Sequence, residues 1–375
     1  MRRQRVRWAW AMLGIGLVGC AFCGVAAIWA PEAFAAAWLS AWLYWLSVPL
    51  AALALVQIHD LTGGRWLVTI APALAPALAS LPVFALLFIP ILFLLPELYP
   101  WARPEDARYL PNTFYLNTLF FIGRFALYFI LWTVFALLAL FRSRWDEERA
   151  AGAMNAVSGL GLLILGVTVT FASFDWLMSL EPHWSSTIFG LMVGAGLFII
   201  GMALAILTAL AARRYSLPGE GALADRFHDL GSILLAVVLL WAYFEFMQFL
   251  IIWEENLRDE IGWYLKRFFG PWGGVMLALA FCHFIIPFLA LIWSPVKRSR
   301  PALGFICGLL ALAGLLNIWW MVLPEQPSGF TWLDPVAALG IGGLAAAFLL
   351  WRLECAAAGG RRREPAAAAA RLERA

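Results

Sequence analysis

Asp175, Glu181 and His183 fall within one short stretch, FDWLMSLEPHWSSTIFG (Phe174 to Gly190), where one long apolar run ends and another begins. On a helix, the spacing would place Asp175 roughly 9 Å deeper than Glu181, at about 1.5 Å per residue. Thr168 and Ser179 fall on the same face as Asp175, giving a polar stripe that opens at Glu181. Further along, Glu245 and Gln248 are i, i+3 neighbours inside an apolar run, with Trp241 one turn back. Glu245 lies about 12 Å from the end of that run at Trp253. Asn117, Arg124 and Tyr128 share a face of another run, and His283 and Asn317 occupy two more. Pro287 follows His283 by four residues and denies the His283 carbonyl its usual helical donor. A charge at bilayer depth costs from about 2.5 kcal/mol to well over about 10, depending on how it is measured, so each such group needs a partner or water. The economical account pairs Arg124 with Glu245 or Asp175 and leaves an internal network of Asp, Glu, His, Tyr and Gln able to move protons or hold a polar head group. The plainer alternative is an ion pair that only packs helices together. His228 and Asp229, like His59 and Asp60, lie where spans meet the opposite surface; helix capping and proton uptake are both open to them.

These groups are carried by long apolar elements. Of 375 residues, 63% are hydrophobic and 13% charged, with 21 Trp and 28 Phe. That composition excludes a soluble domain and reads as an all-α integral membrane protein. A bilayer core of roughly 30 Å needs about 20 apolar residues per helix, and ten such runs are present. They cover Trp8 to Trp29, Phe34 to Ile58, Leu67 to Leu95, Phe114 to Phe141, Asn155 to Leu180, Ser185 to Ala211, Leu230 to Trp253, Trp272 to Trp293, Ala302 to Leu323 and Leu333 to Trp351. The first resembles a signal peptide but has no convincing cleavage site, so it reads as an uncleaved first helix. With a cytoplasmic N-terminus, all but six of the 26 Lys and Arg lie on the cytoplasmic side or in the tail, and both termini are cytoplasmic. The basic residues are therefore topology signals, and the net charge of +3 does not point to nucleic acid. Residues 1–353 read as one polytopic domain in the lipid bilayer, and 354–375 as a low-complexity, disordered cytoplasmic tail.

Pro72, Pro76, Pro82 and Pro90 all fall in the third run, which is tolerable only where neighbouring helices or water satisfy the freed carbonyls. The segment Glu254 to Pro271 mixes charge with Ile261, Trp263, Tyr264 and Phe268 at helical spacing, which suits an amphipathic helix in the interface, either a connector or a docking surface. Cys20 and Cys23 form a C-x-x-C inside an apolar run with no His after it, and no other spacing suits zinc, haem attachment or an iron–sulfur cluster. No metal site and no covalently held cofactor is expected.

TGGRW at Thr62 to Trp66, YLNTLFFIGRFALYFILW at Tyr115 to Trp132, FDWLMSLEPHWSSTIFG, HDLGSILLA at His228 to Ala236 and WAYFEFMQFLIIWEENLRDEIGWYLKR at Trp241 to Arg267 together resemble the ActF-type membrane subunit of bacterial alternative complex III, a quinol:cytochrome c oxidoreductase. The resemblance runs from about Ala52 to Trp293. It implies about ten helices, distantly NrfD-like, in two four-helix bundles plus flanking helices, in the bacterial inner membrane. It also implies an NrfD-like sister membrane subunit, a periplasmic iron–sulfur subunit, and multihaem and monohaem cytochrome c subunits, with quinol or menaquinol as the electron donor. The haem c and iron–sulfur clusters would then belong to the partners. Residue by residue it points to Asp175, Glu181, His183, Arg124, His228 and Asp229. The expected function is a non-autonomous subunit that contributes quinol-site environment, a proton path, or both, with Glu245 and His283 as further path candidates and Tyr128, Gln248 and Asn117 as network partners. Two other classes are open at this stage: a proton-coupled secondary transporter using the proline-broken helix and His283, and a scaffold without chemistry.

Overall fold

The computed structural model of the chain describes the backbone of all residues except 1, 109, 111, 142–146, 212–219 and 373–375, and side chains at those positions except 2–5, 147–154, 220–222, 258–259 and 356–372. In chain order the helices are α1 (Arg2–Trp29), α2 (Pro31–Thr62), α3 (Leu67–Leu78), α4 (Leu81–Leu87), α5 (Ile89–Phe93), α6 (Leu95–Leu98), α7 (Pro104–Ala107), α8 (Thr118–Phe141), α9 (Glu147–Trp176), α10 (Phe189–Ala211), α11 (Glu220–Glu255), α12 (Arg258–Phe268), α13 (Pro271–Leu279), α14 (Ile286–Ile292), α15 (Ser294–Arg298), α16 (Arg300–Val322) and α17 (Leu333–Leu372). A π-helical segment, Ala280–Ile285, joins α13 to α14. Among the described residues nine helices are long and apolar enough to cross a membrane, or ten if the bent pair Leu67–Leu78 and Leu81–Phe93 counts as one span.

The third span bends by 44° at Ala79 and Ser80. Pro82 and Pro90 remove donors there, and the chain tightens so that Phe88 N–H bonds Ala85 O and Ile91 N–H bonds Phe88 O. That pattern frees the carbonyls of Phe84 and Leu87 from their usual helical donors. Two tryptophans of α2, one turn apart, supply the missing donors: Trp42 Nε1 donates to Phe84 O at 2.8 Å and Trp38 Nε1 to Leu87 O at 2.8 Å. The freed backbone is thus satisfied by a neighbouring helix.

α2 is the central element, buried along almost its whole length, and packs on α10, α9, α8, α16 and α17. Gly201 of α10 meets α2 at Ser47 and Ala51, a place where no side chain fits. α1 lies at the periphery against α17, where Gly19 and Gly340 come close enough that a Cβ on Gly19 would lie 2.8 Å from the Gly340 Cα. The α8–α9 hairpin packs on α2 and α10; α11 and α16 also pack on α10, with α13 and α14 beyond them, and α3 of the bent span touches α2, α8, α10, α11 and α17. α17 runs on to Leu372, so the backbone is helical where composition reads as a disordered tail; alanine, which dominates there, is the best helix former.

Candidate functional site

Two sets of buried polar groups stand out. The first belongs to α8 and α9. Asp175 is 1% exposed and is gripped by Arg124, whose Nη2 lies 2.8 Å from Oδ1 and whose Nε lies 2.9 Å from Oδ2. Tyr128 donates its hydroxyl to Oδ2 at 2.7 Å. The guanidinium also donates to the Tyr115 carbonyl at 3.1 Å and lies 3.8 Å over the Tyr115 ring. Of the two acids open to Arg124 in the sequence, the fold brings Asp175. Trp176, Phe125, Trp132 and Tyr99 pack around the pair, and Trp132 Nε1 donates to Thr168 Oγ1 at 2.8 Å. Both carboxylate oxygens are taken, and the charge is matched in place. The Trp176 indole nitrogen lacks a partner within the chain, but it is not ionic.

The second set is different in kind. Trp241, Glu245, Phe249, Tyr264, Asn317 and Trp320 line a cavity of about 580 Å³ between α11, α12, α13 and α16. Glu245 Oε1, Tyr264 Oη, Asn317 Oδ1 and the indole nitrogens of Trp241 and Trp320 have no hydrogen-bond partner in the chain. His283, 0% exposed in the π-helical segment, stacks behind Trp241 with ring centroids 4.2 Å apart, and neither ring nitrogen is bonded. Pro287 follows one turn later and accounts for the break, since a helix denied one donor can widen locally into a π segment. The residues lining this mostly apolar cavity thus carry uncommitted polar atoms within or just behind its aromatic walls, and its volume is in the range of small-molecule sites. Gln248, the i+3 neighbour of Glu245, turns away and accepts from Ser186 Oγ at 2.5 Å, so α11 is tied to the WSSTIFG motif.

A third cluster closes one end of that cavity and was not legible as a site. Arg267, on α12, is 0% exposed; it donates to the carbonyls of Trp320 (3.2 Å), Met321 (3.0 Å) and Trp263 (3.0 Å) and to Glu325 Oε1 (2.7 Å). Its guanidinium stacks 3.5 Å over Trp263. Lys266 bridges Glu325 Oε2, at 3.0 Å, to Glu181. Burial alone would lower the Lys266 pKa, but hydrogen bonds and charge from Glu181 and Glu325 outweigh it and raise the pKa above the ordinary lysine value. One signal was available in the sequence. The positive-inside rule leaves few cations on this face, and two of them are adjacent, which calls for a local reason.

The remaining predicted residues disperse. α9 ends at Trp176 and a 3₁₀ turn, Met178–Leu180, follows, so the continuous stripe from Thr168 to Glu181 does not form; Asp175 turns into α8 and Glu181 toward α12. His183 is exposed. Asn117 is not a member of the Arg124 network but caps α8, accepting the Phe120 N–H at 2.9 Å and donating to Phe114 O at 2.7 Å. His228, half-buried, and Asp229, exposed, lie 3.7 Å apart about two turns inside α11, so Asp229 does not cap that helix; buried Lys297, bonded to Ser232 at 2.9 Å, lies near them. α12 is amphipathic as its sequence suggests, burying Trp263, Tyr264 and Arg267 against the chain while Leu265 and Lys266 are exposed. Among the described residues no group of three or more His, Cys, Asp or Glu could hold a metal ion. No protein-family model matches the chain and no curated protein matches it. The fold defines a class: among the described residues, an all-α, multi-pass membrane protein whose interior holds the closed Arg124–Asp175 and Arg267–Glu325 ion pairs and a cavity beside the unpaired Glu245.

Proposed function

We propose that this chain is the membrane subunit of a quinol:cytochrome c oxidoreductase complex of the alternative complex III type, and that the cavity beside Glu245 receives a quinol head group. The observation that carries the reading is the set of unpaired donors and acceptors around an aromatic-walled space. A quinol ring is flat and apolar on its faces, and its two hydroxyls each donate and accept, which matches the cavity's inventory. Its oxidation to quinone releases two protons and two electrons. Glu245, uncommitted to any partner in the chain, accepts a phenolic proton, and Tyr264 and Asn317 orient the ring oxygens. Haem c and iron–sulfur clusters in partner subunits would take up the electrons. The placement follows the resemblance: the bacterial inner membrane with both termini cytoplasmic, two NrfD-like bundles, an NrfD-like sister subunit, and periplasmic iron–sulfur and mono- and multihaem cytochrome c subunits. His228 and Asp229 remain as a proton-uptake pair at the other face.

The alternative, a proton-coupled secondary transporter, draws on the broken third span. There the carbonyls of Phe84 and Leu87 are occupied by Trp42 and Trp38, so these two are not open to a solute or ion. Purification of the tagged chain from its native membranes tests the proposal: haem c absorbance and non-haem iron co-purify with it in stoichiometric amounts. A chain that runs alone, without haem or iron, overturns it.

A further inference from the structure

Arg267 touches nothing inside the cavity, yet two cavity walls converge on it. One wall is α12, which presents Tyr264 and Phe268; the other is the end of α16, which presents Trp320. Arg267 belongs to the first wall and binds the second, because its fork takes the Trp320 and Met321 carbonyls, among the last of α16 and therefore without helical donors of their own. The same guanidinium is held from below by the Trp263 ring at 3.5 Å and from the side by Glu325. Trp263 stacks in turn on Trp184 at 4.7 Å with an interplanar angle of 13°, fixing α12 to the loop that leads into α10. Lys266 and the contacts of Tyr264 and Phe268 with Phe249 and Trp253 hold the same helix to its neighbours. Asn256 before it has φ 48° and Gly270 after it has φ 99°, so both flanks leave the extended and helical regions at single residues.

We propose that Arg267 is the positioning residue of the cavity: by clamping α12 to the end of α16 it sets the separation between Tyr264 and Trp320, and so the site's grip on a flat polar ligand. This rests on the reading of the cavity as a quinol site. Lysine cannot replace it, since an ammonium is a point charge that cannot span two carbonyls and a carboxylate while lying flat on an indole.

Two measurements on the complex in native membranes test this. In the first, oxidation of a short-tailed quinol, decylubiquinol, is followed in wild type, Arg267→Lys and Trp263→Leu. The expected result is a KM raised about tenfold with kcat and its pH profile nearly unchanged, because the proton acceptor, Glu245, stays in place. An unchanged KM in an assembled Arg267→Lys complex overturns the proposal. In the second, hydrogen exchange is measured over residues 257–270, a readout that needs no ligand. Arg267→Lys and Trp263→Leu speed exchange there at least about tenfold and leave α8 and α9 unaffected; equal exchange in wild type and variants overturns the proposal even where a variant turns over poorly. If the wild-type complex oxidises no quinol, the functional reading fails, and the exchange measurement alone decides whether Arg267 holds the two walls.

Discussion

The α8–α9 hairpin buries an acid and the α11–α16 side holds a half-buried one, and they treat it in opposite ways. Asp175 is met by a forked guanidinium and a phenol, so both oxygens are occupied and the charge has a fixed counterion. Glu245 faces a cavity, with Oε1 bonded to nothing in the chain and His283 stacked nearby with both nitrogens free. A buried acid that is fully paired stabilises one arrangement of helices and has no spare capacity to accept a proton. One left unpaired gains no such fixed counterion and keeps an oxygen uncommitted. The contrast is between a structural half, the hairpin whose charges are matched, and a half in which an acid is left unmatched.

That contrast can be broken most directly by neutralising each acid in turn. Glu245→Gln lowers quinol turnover by about 10²- to 10⁴-fold in steady-state assays of the complex, with the thermal unfolding midpoint in detergent unchanged; an unfolding midpoint that falls with it would move Glu245 into the structural half. Asp175→Asn strands Arg124 without its counterion and costs about 3–5 kcal/mol of stability, read as early thermal unfolding, because an unpaired charge is left inside. Tyr128→Phe sharpens the same half more gently, removing one hydrogen bond to a charged oxygen at about 1.5–3 kcal/mol on the same assay. The smallest effect concerns pH at the outer cluster. The Lys266 pKa is raised in the folded chain, so its bridge to Glu181 and Glu325 contributes fully below the ordinary lysine pKa of about 10.4 and is lost as pH rises through the higher folded value. Hydrogen exchange over α12 should thus be flat from neutral pH to about 10 and quicken beyond it, after correction for intrinsic rates; quickening at neutral pH would remove Lys266 from the cluster.

Much of the architecture could be read along the chain, because a helix that crosses lipid must satisfy its backbone internally and cover about 30 Å with apolar side chains, and both demands are local. Among the described residues, nine helices long and apolar enough to cross, and a bent pair that could make a tenth, follow from that alone. That the proline-rich run must leave carbonyls to be satisfied follows as well, although not that these would be Phe84 and Leu87, nor that Trp42 and Trp38 would donate to them. Arg124 announced that it required an acid, and two were equally available by depth.

Residue types and spacing by themselves determined where the chain enters and leaves the bilayer, where it must break, and which side chains are too costly to face lipid. Tertiary structure alone decided which of those side chains meet: Arg124 with Asp175 and not Glu245, Gln248 with Ser186, Arg267 with the end of α16, and Asn117 with its own helix start. The physical reason is that burial and helicity are paid residue by residue along the chain, whereas a partner, or a cavity where none arrives, is a property of surfaces brought together from positions far apart in sequence.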